Sequence, residues 1–317
     1  TNWVEEWGHE GNDTILGSDF DDRLKGAQGN DTIRGNGGDD YITDVTHFGL
    51  HAPIVGLSFD KTQLDQVLSA LNVNGEFVEE QGNPPGSTLY FGGNDTFSGD
   101  DGDDIIYGYN GQDLINGGDD DDEIYGGSGN DTVIGGNGRD LMAGDSGADY
   151  LMGGEGDDVM VAGSGNDRLE GGMGADYLAG RAGLDTAIYE NSRSGVFIDL
   201  GAGIADGING SALSEAHGDV LIEIENVDGS RTDDTLIGSR GANDFFGNFG
   251  NDTLDGRAGG DRLDGSVGID TVTYAFSIAG VAVALDDVNR NLVSSASGGY
   301  AAGDTLISIE NLDGSAF

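Results

Sequence analysis

The chain has 317 residues, 60 of them glycine and none cysteine, with 59 acidic against 13 basic residues and a net charge of −46. Such a charge opposes binding to nucleic acid, which depends on basic contacts to phosphate, and to anionic membrane surfaces. Without cysteine there is neither a disulfide framework nor a thiol nucleophile, and no stretch reads as a transmembrane span or a Sec-type signal peptide.

Residues 1–43 form a first repetitive block. It divides into nine-residue units, Gly8–Leu16, Gly17–Lys25, Gly26–Arg34 and Gly35–Thr43. The sixth residue of each is aspartate, so Asp13 pairs with Asp31 and Asp22 with Asp40 at intervals of eighteen. Trp3 and Trp7 precede the first unit, where the open end of a repeat array needs covering, and a capping role is expected of them.

Residues 44–90 interrupt the repeat. Asp60 is placed to cap a short helix whose Leu64, Val67, Leu68 and Leu71 share one face, and Gly82-Asn-Pro-Pro-Gly86 ends regular structure. The expected result is a small insertion that packs one helix back onto the main body. Insertions in repeat proteins gather on one face and often bind, so this segment is also the candidate surface for a protein or polysaccharide partner.

From 91 to 188 the period is strict. Units such as GGSGNDTVI (126–134) and GGNGRDLMA (135–143) follow the pattern G-G-x-G-x-D-x-U-x, with U a large apolar residue. Asp95, Asp113, Asp131, Asp149, Asp167 and Asp185 form one series at intervals of eighteen, and Asp104, Asp122, Asp140, Asp158 and Asp176 the other. If each unit is a six-residue turn and a three-residue strand, successive turns fall on opposite sides and two units make one coil. Each series then becomes a column of carboxylates. The core receives one large side chain per unit, among them Ile106, Ile115, Ile124, Val133, Met142, Leu151, Met160, Leu169 and Leu178.

After this block a longer unit occurs twice, at 189–228 and 274–317, as connectors built of strands. Gly183-Leu-Asp-Thr186, Tyr189, Gly218-Asp219 and Ile224-Glu-Asn226 recur at Gly268-Ile-Asp-Thr271, Tyr274, Gly303-Asp304 and Ile309-Glu-Asn311, always 85 residues later. Val196–Leu200 and Val281–Leu285 alternate as strands do. Between the connectors, 229–273 is a third nonapeptide block, with Asp234, Asp252 and Asp270 in one column and Asn243 and Asp261 in the other. Asn243 lends a carbonyl but no charge, so a weaker or empty site is expected there. Both ends of the sequence read as parts of further units, as if excised from a longer parent.

The turns suit a hard cation. Parallel strands stack about 4.8 Å apart, where unneutralised carboxylates repel by about 3–4 kcal/mol at an effective dielectric near 20. Glycines at positions one, two and four permit positive φ, so that carbonyls can point inward. With aspartates from adjacent turns they make up the roughly six to eight oxygens of Ca²⁺ better than the octahedral shell of Mg²⁺, and binding and folding become one event. A disordered acidic linker is the plain alternative; an apolar residue two places after every aspartate argues against it.

These nonapeptides resemble those of the repeats-in-toxin family of secreted bacterial proteins, in which the calcium-binding nonapeptide is a recognised repeat. The resemblance implies an all-β fold, a right-handed parallel β-roll or β-helix solenoid, with multiple Ca²⁺ ions held by the aspartates named above. It also implies a secreted, extracellular or cell-surface location, and a parent protein exported by type I secretion machinery.

Catalytic constellations are scarce. His9-Glu10 is followed by Gly-Asn-Asp, which is not H-E-x-x-H, no G-x-S-x-G elbow is present, and His47, His51 and His217 read as surface residues. A carboxyl held by calcium has its proton affinity lowered, the wrong direction for a general acid. The expected function is therefore a calcium-binding module without enzymatic activity that folds outside the cell and stabilises a larger exported protein. The alternatives are a structural part of an adhesin or surface layer, and the accessory region of a secreted polysaccharide-modifying enzyme, protease or lipase whose active domain lies elsewhere.

Overall fold

Aspartate, the large apolar residue and glycine occupy positions six, eight and one of successive nonapeptides, and in extended chain such alternate positions share one face. In the computed structural model, which describes residues 5–8, 11–20, 22–26, 30–43, 93–208, 210–211, 213–285 and 294–316, that face is the interior. The chain is an all-β parallel solenoid of about eleven coils. Its two sheets have 15 and 14 strands among the described residues. Strands alternate between the sheets, each pairing with the strand eighteen residues before and after it: Thr132 lies opposite Leu114 and Tyr150, and Leu141 opposite Glu123 and Val159.

The strands of the central roll are longer than the sequence pattern suggests. Thr132–Asn137 and Leu141–Ser146 each span six residues rather than three, carrying the extended chain through the first three residues of the next unit. The alternation persists because glycine at position one still faces inward, leaving room beside the aspartate five residues on. Glycine at position four has a different task. Gly147 holds φ at +145°, and a Cβ there would be driven into the carbonyl oxygen of Gly129 in the preceding coil.

The interior is a single file of large side chains from the two sheets. Ile106, Ile115, Ile124, Val133, Met142, Leu151, Met160, Leu169 and Leu178 are all fully buried, as the repeat predicts, and the file continues through Ile15, Leu24, Ile33 and Ile42 on one side and Leu236, Phe245, Leu254 and Leu263 on the other. Across the interrupted segment the roll resumes in register, with Thr32 opposite Thr96 and Tyr41 opposite Ile105. The expected helix with Leu64, Val67, Leu68 and Leu71 lies outside the described residues, as do Trp3 and the Trp7 side chain. Among the described residues the one helical element is the 3-10 turn Gly299–Ala301.

The 85-residue units insert hairpins into the roll. In the first, Tyr177–Ala182 pairs in parallel with Val220–Ile222. Ile204–Gly207 and Val196–Asp199 then follow as an antiparallel pair before the parallel order returns at Thr235–Ile237. The second repeats this with Thr305–Ile307, Ser294–Ser297 and Ala282–Ala284, but on the opposite sheet. The switch arises because the intervening roll delivers Arg262–Asp264, the counterpart of Tyr177–Ala182, to that other sheet.

Truncating one member of the interior file tests this packing. Leu151→Ala is expected to destabilise the calcium-saturated chain by about 2–5 kcal/mol, measured as the shift in a denaturant unfolding curve; an effect within about 0.5 kcal/mol would contradict full burial of Leu151.

Candidate metal columns

Each column aspartate is held by the backbone of its neighbour. The N–H of Asp113 donates to Asp131 Oδ1 at 2.8 Å, that of Asp131 to Asp149 Oδ1 at 2.8 Å, and that of Asp149 to Asp167 Oδ1 at 2.8 Å. On the other side Asp104, Asp122, Asp140 and Asp158 are linked in the same way at 2.8–2.9 Å. The ladders cross the interruption without a break, since Asp31 N–H donates to Asp95 Oδ1 at 2.6 Å and Asp40 N–H to Asp104 Oδ1. Asp13 N–H begins one ladder on Asp31 Oδ1 and Asp22 N–H the other on Asp40 Oδ1.

The second carboxylate oxygen has no such tie. Oδ2 of Asp31, Asp95, Asp104, Asp113, Asp122, Asp131, Asp140, Asp149, Asp158, Asp167, Asp176, Asp185, Asp252, Asp261 and Asp270 is buried without a hydrogen-bond partner. A buried anionic oxygen left in this state is costly unless a cation or proton meets it. The position-one glycine shows where such a partner fits. A Cβ placed on Gly144 would stand 2.6 Å from both Asp149 Oδ2 and the carbonyl oxygen of Ala162, and one on Gly126 would stand 2.7 Å from Asp131 Oδ2 and 3.1 Å from the Gly144 carbonyl. Carboxylate and carbonyl oxygens thus converge on one small space per nonapeptide, a donor set of the oxygen-only kind that Ca²⁺ takes. Among the described residues no three acidic or histidine side chains gather at one point.

Electrostatics agree with the geometry. Burial, reinforced by neighbouring carboxylates of the column and opposed by the N–H bonds received, pushes Asp122 up to about 9, Asp104 and Asp149 to about 8, and Asp113 and Asp158 to about 7. In the third block burial likewise raises Asp252 to about 8, Asp261 to about 7 and Asp270 to about 6.

Some column positions are already satisfied by protein. Ser18 donates from its backbone N–H and hydroxyl to Asp22 Oδ2. Ser230 donates its N–H to Asp234 Oδ2 and its hydroxyl to Asp234 Oδ1, both at 2.6 Å. Asn243, the neutral departure from the pattern, accepts Ser239 N–H at 2.9 Å and donates from Nδ2 to the Glu225 carbonyl at 2.7 Å. The columns also hold four residues that the nonapeptide pattern does not single out. Asp176 N–H donates to Asp219 Oδ1, Asp261 to Asp304 Oδ1, Asp185 to Glu225 Oε2 and Asp270 to Glu310 Oε2. A signal for them is present: the offsets, 43 residues for the aspartates and 40 for the glutamates, are the same in both copies of the 85-residue unit.

A separate ladder at position five pins the turns from outside. Gln112 N–H donates to Asn94 Oδ1, Ala148 to Asn130 Oδ1 and Ala175 to Asp157 Oδ1, running in the sense opposite to the inner columns. An open groove on the surface is lined by acidic residues such as Asp100, Asp101, Asp119 and Glu155. Two of these carboxylates meet protein donors, with Arg34 Nε on Asp100 Oδ2 at 2.6 Å and Asn137 Nδ2 on Asp119 Oδ1 at 2.6 Å. His217 is exposed and its Nδ1 lies 2.8 Å from Asp206 Oδ1.

The family model for the RTX calcium-binding nonapeptide repeat matches residues 7–42, 90–124, 116–151, 152–187, 224–254 and 237–272. Repeats of this kind bind Ca²⁺ at multiple sites and are generally non-catalytic, and proteins that carry them are typically secreted by type I systems. No curated protein is matched by the chain.

The pH dependence follows from the raised carboxyls. Their folded values lie above the ordinary 3.8, so between about pH 4 and 9 the metal-free fold holds more protons than the unfolded chain. Its stability is fully present below pH 3.8 and is lost as pH rises through the folded values. Calcium must displace those protons. Titrations at pH 5.5 and 7.5 are expected to show weaker calcium binding at the lower pH; equal affinities would contradict this.

Proposed function

Because the chain belongs to the RTX calcium-binding nonapeptide-repeat family, we propose that it is a non-catalytic, secreted module that folds when Ca²⁺ fills its columns outside the cell and thereby stabilises a larger exported protein. The observation that carries the reading is the row of buried, unpartnered Oδ2 atoms facing position-one glycines and the carbonyls of the next coil.

In this reading Asp31, Asp40, Asp95, Asp104, Asp113, Asp122, Asp131, Asp140, Asp149, Asp158, Asp167, Asp176, Asp185, Asp252, Asp261 and Asp270 present carboxylate oxygen to metal, with backbone carbonyls completing each set. Asp13, Asp22 and Asp234 lie in the same columns. Bound calcium supplies the positive charge that lets stacked carboxylates remain ionised inside the fold. The protein's own part is to fix Oδ1 through the neighbouring N–H, so that Oδ2 is aimed at the metal as each coil forms. Extracellular calcium modules bind at about 10⁻⁴–10⁻³ M, a range that leaves the chain unloaded in a low-calcium cytoplasm and loaded outside it.

Two measurements test this. Circular dichroism on adding millimolar Ca²⁺ is expected to pass from coil to β structure and to revert on chelation; a β spectrum that persists in excess chelator would sink the proposal. Asp149→Asn keeps the Oδ1 acceptor but removes the charge, and should raise the calcium needed for half-folding by roughly tenfold, whereas Asp157→Asn in the outer ladder should leave it unchanged. Equal shifts for the two variants would place the metal elsewhere.

A further inference from the structure

Two members of the inner columns have the second carboxylate oxygen bonded by a buried tyrosine. Asp219 stands one coil beyond Asp176, and its Oδ1 accepts the Asp176 N–H at 3.0 Å as any column aspartate would. Its Oδ2, however, accepts the hydroxyl of Tyr189 at 3.0 Å. Asp304 repeats this 85 residues later, with Oδ1 on Asp261 N–H at 3.1 Å and Oδ2 on the Tyr274 hydroxyl at 2.9 Å. Both tyrosines are buried, Tyr189 at 0% and Tyr274 at 2% exposure.

The chain also departs from the nonapeptide five residues before each carboxylate. Five residues before Asp219, where the nonapeptide places its glycine, stands Ser214, buried and with its hydroxyl 3.3 Å from that of Ser192. Before Asp304 the corresponding residue is Gly299, but the hydroxyl of Ser277 lies where a Cβ on that glycine would go, held there by the Tyr300 N–H at 3.0 Å. Ser192 and Ser277 are themselves counterparts at the 85-residue offset. Beyond Asp219 the neighbouring strand Ile204–Gly207, which carries Asp206, runs antiparallel and not as a further nonapeptide coil.

We propose that Tyr189 and Tyr274 terminate the metal columns: each hydroxyl donates to the carboxylate oxygen that elsewhere faces a cation, so Asp219 and Asp304 are column members that take no metal. Each 85-residue unit then stops one column at its tyrosine, while the other column is continued by Glu225 or Glu310. The chemistry is a direct exchange of one partner for another. A buried carboxylate oxygen needs a donor or a cation, and a phenolic O–H fixed by the fold supplies the first without demanding the second.

This rests on the proposed function, and counting ions separates the two. The probe is Ca²⁺ itself, measured as ions per chain by native mass spectrometry on the full chain, with β structure checked by circular dichroism at saturating calcium. Tyr189→Phe with Tyr274→Phe removes both hydroxyls and keeps both carboxylates, and is expected to bind one additional ion per substituted tyrosine; a count equal to or below that of the parent chain overturns the proposal. Should that variant lose its β spectrum, Asp219→Asn with Asp304→Asn decides the matter, because the amide can still accept the tyrosine hydroxyl. An unchanged count is expected, and the loss of an ion for each substitution, or failure to fold at saturating calcium, overturns it. A parent chain that binds no calcium would instead overturn the proposed function, whatever the variants do.

Discussion

Rows of aspartate are buried in this protein with one oxygen tied and the other not, and the rest of the architecture answers to that constraint. Oδ1 is fixed by the N–H of the neighbouring coil, so the carboxylate cannot turn away to solvent. Oδ2 is left pointing into a space that only a missing side chain makes possible. In the proposed reading, aspartate at this place makes the fold depend on what fills the space. The raised proton affinities are the metal-free expression of the same strain, since protons are the only other positive charge at hand.

The continuity of the columns matters as much as their chemistry. They run unbroken from Asp31 to Asp95 and from Asp40 to Asp104 although the chain leaves the roll between them. In a solenoid each coil touches only its neighbours, so a metal bound between two coils stabilises the next pair chiefly by presenting it with an ordered edge. The outer ladder of Asn94, Asn130 and Asp157 helps in the opposite sense, tying each turn to the coil before it. Inner and outer ladders together make a turn rigid from both sides while leaving the inward oxygens free of protein.

Most of this was readable from residues alone because the repeat is strict. The period of nine places aspartate, apolar residue and glycine two apart, and that alternation predicts the interior file from Ile106 to Leu178 and the pairing at eighteen. Strand length was not readable in the same way: glycine is depleted in strands generally, and only stacking against the next coil keeps Gly135 and Gly136 extended within Thr132–Asn137. The extra column members were hidden for another reason. Asp219, Asp304, Glu225 and Glu310 reach their places through hairpins of irregular length, so their spacing obeys the 85-residue unit and not the nonapeptide. The saturation of Asp234 by Ser230 was equally invisible, because a serine four residues upstream in a glycine-rich turn looks like any other turn residue.

Anomalous scattering from crystals grown with calcium or a lanthanide tests the central claim most directly, since it locates each ion against its oxygens. The account predicts peaks in two lines inside the roll, beside Oδ2 of residues such as Asp113, Asp122, Asp131 and Asp140 and next to the carbonyl of the following coil. Ions confined to the outer groove of Asp101, Asp119 and Glu155, with the buried carboxylates bare in an intact roll, would contradict it.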